Sequence, residues 1–451
     1  VFDGDGMIHA VALDPAANAA AYARHQIETA KLRQERRSGA PFFPNIGGMV
    51  GWAGLMRLAA FALRVRAGLA SPGSTANTAL VFHGGRLLAL NESDVPYEVR
   101  LGANAELATA GALLGPAAKP FTAHPKVDPD SGLLFSFGYN PQSQPHLRYY
   151  VLDARACIVH KLDIPLPRPV MMHDCAITRN YVVFIEPSLV FDPKAMLRGS
   201  DQLPFVFDHH KPMRFGVMRK FESDAANIVW VEASPHMIFH VLNAWEDDDG
   251  DANRITLVAC KIPEFHLSLA HYDGPLPDRE RGVLCRYSID LAARRVSEEV
   301  ILDDKPHVVD FPVVPQHLVG RSTRYGYLCT FQTGTLVSSR GVFKVDLTGT
   351  EAPRLLEFAP GCVAGECFFV PAEAGEARDE DDGYLVTLMF DETAQSSALY
   401  VFDAKTMAAE PVARVPLPYR VPTGFHTLWV PRAELTAQGP QEQRHALASK
   451  M

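Results

Sequence analysis

One local plan recurs along most of this chain and limits the folds that it can adopt. An apolar strand-like run is followed by an Asp, a turn and a second strand-like run, as in YYVLDARACIVHKLDI (149–164), VLCRYSIDLAARRVSEEVIL (283–302), GVFKVDLTGTEAPRLLEF (341–358) and ALYVFDAKTMAAEPVARVPL (398–417). Two apolar runs around Gly84 and Gly85 add a hairpin signature. Repeated antiparallel hairpins over 451 residues predict an all-β protein built as a β-propeller, because a sandwich or a barrel needs fewer strands.

Two stretches near the start of the chain break this β pattern. Residues 16–36 have a helix-forming composition and polar faces, so we predict a surface helix there. Residues 46–69 are apolar but contain Arg57, Arg64 and Arg66, which argues against a membrane-spanning helix. A helix lying in a membrane interface and a helix packed on the propeller both fit this second stretch.

Composition narrows the class of protein. The chain is 47% hydrophobic and 21% charged, as expected for a soluble globular protein. Its net charge of −9 argues against a nucleic-acid partner, because phosphate binding favours a basic surface. The seven cysteines are scattered and odd in number, which favours a reducing compartment over a disulfide framework.

The expected organisation is one propeller domain over residues 1–451, with a helical insertion at 16–69 and a polar tail at 434–451. No signal peptide is visible, and the chain begins at Val1 inside a strand-like run. We therefore expect that further strands of the first blade precede it in the natural protein. The expected location is cytoplasmic and peripheral to a membrane. A plastid is the alternative, since a targeting segment would lie upstream.

Four histidines each centre a short signature between strand-like runs: His124, His173, His240 and His426. A single His in an apolar stretch is usually a core residue, and no local pattern such as H-x-x-x-H marks a site. Because the four are far apart in sequence, only a closed fold would bring them together. If they converge, they form a neutral all-imidazole metal site that suits iron, zinc and copper alike.

The segments around these histidines resemble signatures of the carotenoid cleavage oxygenases. Six occur in that family's order: FDGDGMIHAV (2–11), TAHPKVDPDSGLLFSFGY (122–139), MMHDCAIT (171–178), FHVLNAWED (239–247), EDDGYL (380–385) and RVPTGFH (420–426). The resemblance covers nearly the whole chain. It is closest to the plant branch that cuts carotenoids at the 9,10 double bonds. Three further segments of this chain resemble that branch: TANTALVFHGGRLLALNE (75–92), VDFPVV (309–314) and DAKTMAAEPVARVPLPYRVPTGFH (403–426).

This resemblance implies a seven-bladed propeller with Fe(II) on its axis and a helical cap over the metal face. The four histidines would be the iron ligands, which leaves two coordination positions open. Three of them would donate a hydrogen bond from the second ring nitrogen to a carboxylate: His173 to Glu92, His240 to Asp310 and His426 to Glu366. His124 would have no carboxylate partner.

Two residues of this implied site, Asp310 and Thr78, each allow two interpretations. Asp310 stands where much of the family has Glu, so it must approach His240 more closely or use a bridging water. Thr78 matches a position beside an open iron site, where its methyl group would limit water access; a buried strand Thr without a role is the alternative. Three aromatic neighbours are candidates for packing on a polyene or simply for the core: Phe121, Phe311 and Phe425.

The implied activity is that of a non-haem Fe(II) dioxygenase that cleaves a C=C bond of a carotenoid or apocarotenoid into two carbonyl products, at 9,10 and/or 9',10'. Its partners would be that substrate, dioxygen and a membrane surface contacted by 46–69. Stilbene cleavage is a second interpretation, but that branch carries a Lys where this chain has Asn91. A third, from another class, is a non-catalytic propeller that binds apocarotenoids around a closed structural metal.

Overall fold

The computed structural model describes residues 4–45, 48–115, 118–198, 203–247, 253–266, 276–331, 338–372 and 379–436. Over these ranges the protein is mostly β, and its strands pair antiparallel throughout. The chain begins with a two-stranded sheet of β1 (Met7–Asp14) and β2 (Ala19–Gln26). The α-helices within the described ranges are α1 (Ala30–Ser38), α2 (Gly51–Arg66) and α3 (Arg432–Thr436).

Four-stranded sheets then follow one another along the chain. The first contains β3 (Ala79–His83), β4 (Arg86–Leu90), β5 (Tyr97–Leu101) and β6 (Leu107–Ala112). The second contains β7 (Lys126–Val127), β8 (Leu134–Tyr139), β9 (Leu147–Leu152) and β10 (Ile158–Ile164). The third contains β11 (Cys175–Ile177), β12 (Tyr181–Glu186), β15 (Met213–Arg219) and β16 (Val229–Ala233), with β13 (Leu189–Phe191) and β14 (Phe205–Phe207) as a hairpin between β12 and β15.

The remaining strands continue this succession. The fourth four-stranded sheet contains β17 (Met237–Glu246), β18 (Arg254–Ile262), β19 (Val283–Asp290) and β20 (Arg295–Leu302). A larger sheet contains β21 (Val308–Val313), β22 (Tyr325–Phe331), β23 (Ser339–Asp346), β24 (Arg354–Glu357), β25 (Cys362–Ala364), β26 (Phe368–Pro371), β27 (Gly383–Asp391), β28 (Ser396–Asp403) and β29 (Ala413–Pro416).

The hydrophobic core lies between neighbouring sheets. Phe137 and Tyr149 of the second sheet pack with Val182 and Phe184 of the third, and all four are buried. Equivalent apolar layers lie between the third and fourth sheets and between the fourth and the larger sheet. Sheets that are neighbours in sequence therefore pack against one another.

Strand β1 connects the two ends of this succession. Ile8 packs in one apolar cluster with Leu87 of the first sheet. Val11 and Leu13 pack against another that contains Val386 of β27 in the larger sheet. The same strand therefore contacts the first and the last sheets of the chain.

The prediction of a helix over 16–36 was wrong for its first part. The chain turns tightly before Asn18, which has a left-handed φ of 47°, and then forms β2 against β1. Pairing between strands overrides the weak helix preference of an Ala-rich stretch. The helix starts only at Ala30, where the Thr29 side chain accepts from the backbone N–H of Leu32 at 3.1 Å.

Helix α2 lies within the apolar stretch 46–69 and is largely exposed. Trp52, Met56 and Leu63 are exposed to 66%, 66% and 67%, whereas Leu55, Leu58 and Phe61 are half-buried. The side of α2 that carries Trp52, Met56 and Leu63 is therefore not packed on the sheets. Among the described helices, none is long and apolar enough to cross a membrane. Of the predicted polar tail, residues 437–451 lie outside the described ranges.

Candidate metal centre

The four histidines singled out from the sequence converge at one place. His124 lies just before β7, His173 just before β11, His240 within β17 and His426 after β29. The ring centroid of His124 lies 4.6 Å from those of His173 and His426 and 4.9 Å from that of His240. Four sheets or sheet ends thus each contribute one imidazole to a single cluster.

The ring nitrogens that face the middle of this cluster are Nε2 atoms. The Nε2 of His173 lies 3.0 Å from the Nε2 of His124 and 3.2 Å from that of His240. Candidate ligand nitrogens of His124, His240 and His426 all lie within 4.8 Å of one another. For these atoms to act together as ligands, the ring hydrogens must reside on the Nδ1 atoms, because a nitrogen that carries a hydrogen has no free lone pair.

Three carboxylates contact the outward Nδ1 atoms. Glu92 Oε1 contacts His173 Nδ1. Asp310 Oδ1 accepts from His240 Nδ1 at 2.8 Å, and Glu366 Oε1 accepts from His426 Nδ1 at 3.1 Å. A carboxylate at Nδ1 fixes the hydrogen there and leaves Nε2 free as a donor to a metal.

Of the two alternatives for Asp310, the structure shows the closer approach, because the shorter side chain reaches His240 directly. The register of β21 shifts between Asp310 and Pro312, and Phe311 between them has a left-handed φ of 50°. This conformation costs a non-glycine residue roughly 1–2 kcal/mol. The bulge also lets the Phe311 N–H donate to Asp310 Oδ1 at 2.9 Å. It places the Phe311 ring 5.2 Å from His240 and 5.0 Å from His426, between centroids.

Burial makes the cluster favour neutral imidazoles at two of its positions. Burial, reinforced by the neighbouring imidazoles, holds the pKa of His124 well below its usual range. Burial also lowers the pKa of His240 despite the opposing charge of Asp310. At His173, burial acts to lower the pKa, but the charge and hydrogen bond of Glu92 outweigh it and the pKa is raised. Metal binding needs neutral imidazole, so the low pKa values favour it.

Sequence reasoning missed two groups that hold these carboxylates in place. The Tyr139 hydroxyl donates to Glu92 Oε2 at 2.8 Å. The backbone N–H of Thr427 donates to Glu366 Oε2 at 2.8 Å. Tyr139 ends the segment FSFGY, so its position was visible, but no feature of the sequence pairs it with Glu92.

Thr78 lies beside Asn91, which precedes Glu92 in the chain. Its hydroxyl accepts from Asn91 Nδ2 at 3.2 Å and lies 3.4 Å from Asn77 Oδ1. Its backbone N–H donates to the carbonyl of Leu90 at 3.1 Å, two residues before Glu92. The described hydrogen bonds of Thr78 involve none of the four histidines.

The three candidate phenylalanines have different surroundings. Phe121 is buried in the core and stacks on Tyr150. Phe311 contacts two of the histidine rings, as described above. Phe425 is partly buried and packs on the apolar cluster that includes Phe311.

Two cavities adjoin the histidine cluster. They measure about 530 Å³ and about 200 Å³, and both are lined by His124, His426, Lys126 and Glu366. The larger one extends to the turn at Gly84 and Gly85, and the smaller one extends along β17. The histidine cluster is thus reachable by small molecules.

The residues present suit a divalent transition metal. Four imidazole nitrogens with three Nδ1 atoms held by carboxylates form a neutral donor set, which iron, zinc and copper all accept. The only other metal-compatible group within the described ranges is Asp379, Asp381 and Asp382, a partly exposed acidic cluster without imidazole.

Comparisons with known proteins agree with this architecture. The family model described as retinal pigment epithelial membrane protein matches residues 1–431. Carotenoid 9,10(9',10')-cleavage dioxygenase 1 of Phaseolus vulgaris is 36% identical, and the match covers 97% of this chain and 81% of that protein.

Solved structures show the same likeness. The lignostilbene dioxygenase of Pseudomonas brassicacearum matches with a TM-score of 0.77 and 25% identity, over 95% of this chain and 88% of that chain. A variant of the Synechocystis apocarotenoid oxygenase matches with a TM-score of 0.78 and 27% identity, over the same shares of the two chains. The chain therefore belongs to the family of carotenoid cleavage oxygenases.

Proposed function

We propose that this protein is a non-haem Fe(II) dioxygenase that cleaves a C=C bond of a carotenoid or apocarotenoid into two carbonyl products, at 9,10 and/or 9',10'. The observation that carries the proposal is the convergence of four imidazoles, three of which have a carboxylate in contact with their Nδ1 atom. The substrate class and the bond follow from the similarity to plant 9,10(9',10')-cleavage dioxygenases.

In this proposal His124, His173, His240 and His426 hold the iron. When bound there, the iron supplies the redox chemistry that dioxygen activation requires, which zinc lacks. The chain contributes imidazoles in one tautomer: burial lowers the pKa of His124 and of His240, and the three carboxylates hold hydrogens on Nδ1.

Two further side chains would shape the space beside the metal. The Phe311 ring lies against His240 and His426 and offers an apolar wall for a polyene. The hydroxyl of Thr78 is engaged by Asn91, so its methyl group is the part available to exclude water from an open position. Asn91 carries no charge, which favours an apolar polyene over a stilbene phenol at this side.

The overall architecture in this proposal is a seven-bladed propeller with the metal on its axis. Successive antiparallel sheets with cores between neighbours support it, as does the contact of β1 with both the first and the last sheets. Helices α1 and α2 would form the cap over the metal face.

A peripheral membrane location completes the proposal. Carotenoids dissolve in bilayers, and the exposed Trp52, Met56 and Leu63 of α2, with Arg57 and Arg64 on the same helix, suit an interfacial helix. A cytoplasmic location at a membrane surface fits these features, and a plastid is the alternative.

Product analysis tests the proposal. Iron-loaded protein is incubated with carotenoids, apocarotenoids and a stilbene, in air and under argon, and products are identified by mass spectrometry. We expect oxygen-dependent loss of a carotenoid and two carbonyl fragments, and no reaction by the His240→Ala control. Cleavage of the stilbene alone would favour the lignostilbene-type activity. Binding of an unchanged carotenoid by iron-loaded protein would favour the non-catalytic interpretation.

A further inference from the structure

Asp174 is a buried carboxylate that follows His173 directly, with only 2% of its side chain exposed. Its Oδ1 accepts from the backbone N–H of Cys175 at 2.7 Å and lies 2.7 Å from Lys126 Nζ. Its Oδ2 accepts from the backbone N–H of Val241 at 2.9 Å. Both oxygens of one carboxylate are therefore engaged by donors from three separate segments.

Each of these segments carries a histidine of the cluster. Lys126 lies two residues after His124 and begins β7. Val241 follows His240 within β17. Asp174 thus connects the segment of His173 to the segments of His124 and His240.

The backbone of β17 is shaped to make this contact. Its register against β18 shifts between Ile238 and Val241 and again between Val241 and Asn243. A bulge frees backbone groups from the regular ladder and redirects the strand locally. The amide of Val241 lies between the two shifts and donates to Asp174.

We infer that Asp174 is a positioning residue of the metal centre, which sets the spacing of His124, His173 and His240, with Lys126 as its counter-ion. The inference rests on the proposed function, because spacing matters only if the histidines share a metal. His426 lies outside this arrangement and is held instead by Glu366.

An amide at this position cannot replace the carboxylate. Asn has one acceptor oxygen, and its NH2 group would face either the Val241 N–H or the Lys126 ammonium, which are both donors. Leaving a buried donor without its acceptor is unfavourable, so the segments are expected to move apart. Ligand geometry tolerates displacements of only about 0.5 Å.

Cobalt(II) is the probe for the test, because its visible absorption reports ligand geometry independently of turnover. Affinity is measured by competition with a chelator, and unfolding temperature is measured in parallel. The variants are Asp174→Asn, Lys126→Met and, as matched control, Glu186→Gln. Glu186 is another buried carboxylate paired with a buried lysine, Lys211, at 3.1 Å.

We expect Asp174→Asn to weaken cobalt affinity by roughly 10–100-fold and to shift the absorption bands. Lys126→Met is expected to weaken it less, by about threefold to tenfold, because the two backbone donors remain. Glu186→Gln is expected to lower the unfolding temperature and leave cobalt affinity within about twofold.

The outcomes separate this inference from the proposed function. If wild-type protein binds no cobalt, the metal site itself is wrong. If wild type binds cobalt, and Asp174→Asn folds and binds it with unchanged affinity and spectrum, the positioning role is wrong. If Asp174→Asn does not fold, Lys126→Met decides, and an unchanged affinity and spectrum there overturns the inference.

Discussion

Replacing Glu366 by Gln is expected to weaken metal binding more than replacing Asp310 by Asn. Glu366 uses both oxygens: Oε1 accepts from His426 Nδ1 at 3.1 Å and Oε2 from the Thr427 N–H at 2.8 Å. A Gln has only one acceptor oxygen. If its NH2 group faces Thr427, two donors oppose each other. If it faces His426, the ring must accept at Nδ1, which places its hydrogen on the inward Nε2.

Asp310 uses its carboxylate differently. One oxygen, Oδ1, accepts from both His240 Nδ1 at 2.8 Å and the Phe311 N–H at 2.9 Å. An Asn can keep its oxygen at that place and direct its NH2 group elsewhere. Asp310→Asn therefore loses charge but keeps both hydrogen bonds.

The magnitudes follow from these contacts. A hydrogen bond to a charged group contributes about 1.5–3 kcal/mol and a neutral one about 1 kcal/mol, so Asp310→Asn should cost ~1–1.5 kcal/mol. That corresponds to roughly tenfold in metal affinity. Glu366→Gln adds an unsatisfied buried donor at ~1–3 kcal/mol, for a total near 100-fold or more.

Competitive chelator titration of Fe(II) or Co(II) measures these affinities, with kcat/KM on a carotenoid as a second readout. Glu246→Gln is the matched control, since Glu246 accepts from the Asn180 N–H at 2.8 Å and the Asn180 side chain at 2.7 Å and contacts none of the histidines within the described ranges. Equal losses for Glu366→Gln and Asp310→Asn, or the reverse order, would refute the reasoning.

Three further substitutions test neighbouring contacts. Glu92→Gln should cost about as much as Asp310→Asn, roughly tenfold in metal affinity, because the Tyr139 hydroxyl can reverse to accept from the amide. Tyr139→Phe should cost only about threefold in metal affinity, since it removes one donor to Glu92; a loss of roughly tenfold, as large as that of Glu92→Gln, would contradict this. The double change Met56→Glu and Leu63→Glu should weaken liposome binding and slow the turnover of membrane-dissolved substrate, but leave the turnover of detergent-dispersed substrate unchanged. The control is Val159→Glu with Val300→Glu, on exposed strand positions, which should change neither liposome binding nor turnover.

The sequence predicted the histidine cluster because each His stands in a distinct segment and the four segments occur in a known order. It also predicted the β-rich architecture, since strand, turn and strand recur with recognisable local chemistry. The carboxylate partners followed from resemblance alone. Nothing in the residues around Glu92 indicates that His173, in a different sheet, is its neighbour.

Details that depend on tertiary geometry were not predictable. The direct bond between Asp310 and His240 requires a left-handed Phe311 and a bulge, and phenylalanine gives no signal for that conformation. The strand at Ala19–Gln26 was mistaken for a helix, because its alanines favour helix locally and only pairing with β1 decides otherwise. The role inferred for Asp174 depends on donors from three segments, which no single stretch of sequence contains.

The most direct test of the central claim is the iron content of the wild-type protein and of four single variants, measured together with oxygen-dependent carotenoid turnover. The variants are His124→Ala, His173→Ala, His240→Ala and His426→Ala. After reconstitution with Fe(II), we expect about one iron per wild-type chain, and in every variant a large loss of iron and no turnover. A variant that keeps full iron occupancy and wild-type turnover would show that its histidine is not a ligand and would contradict the four-histidine centre.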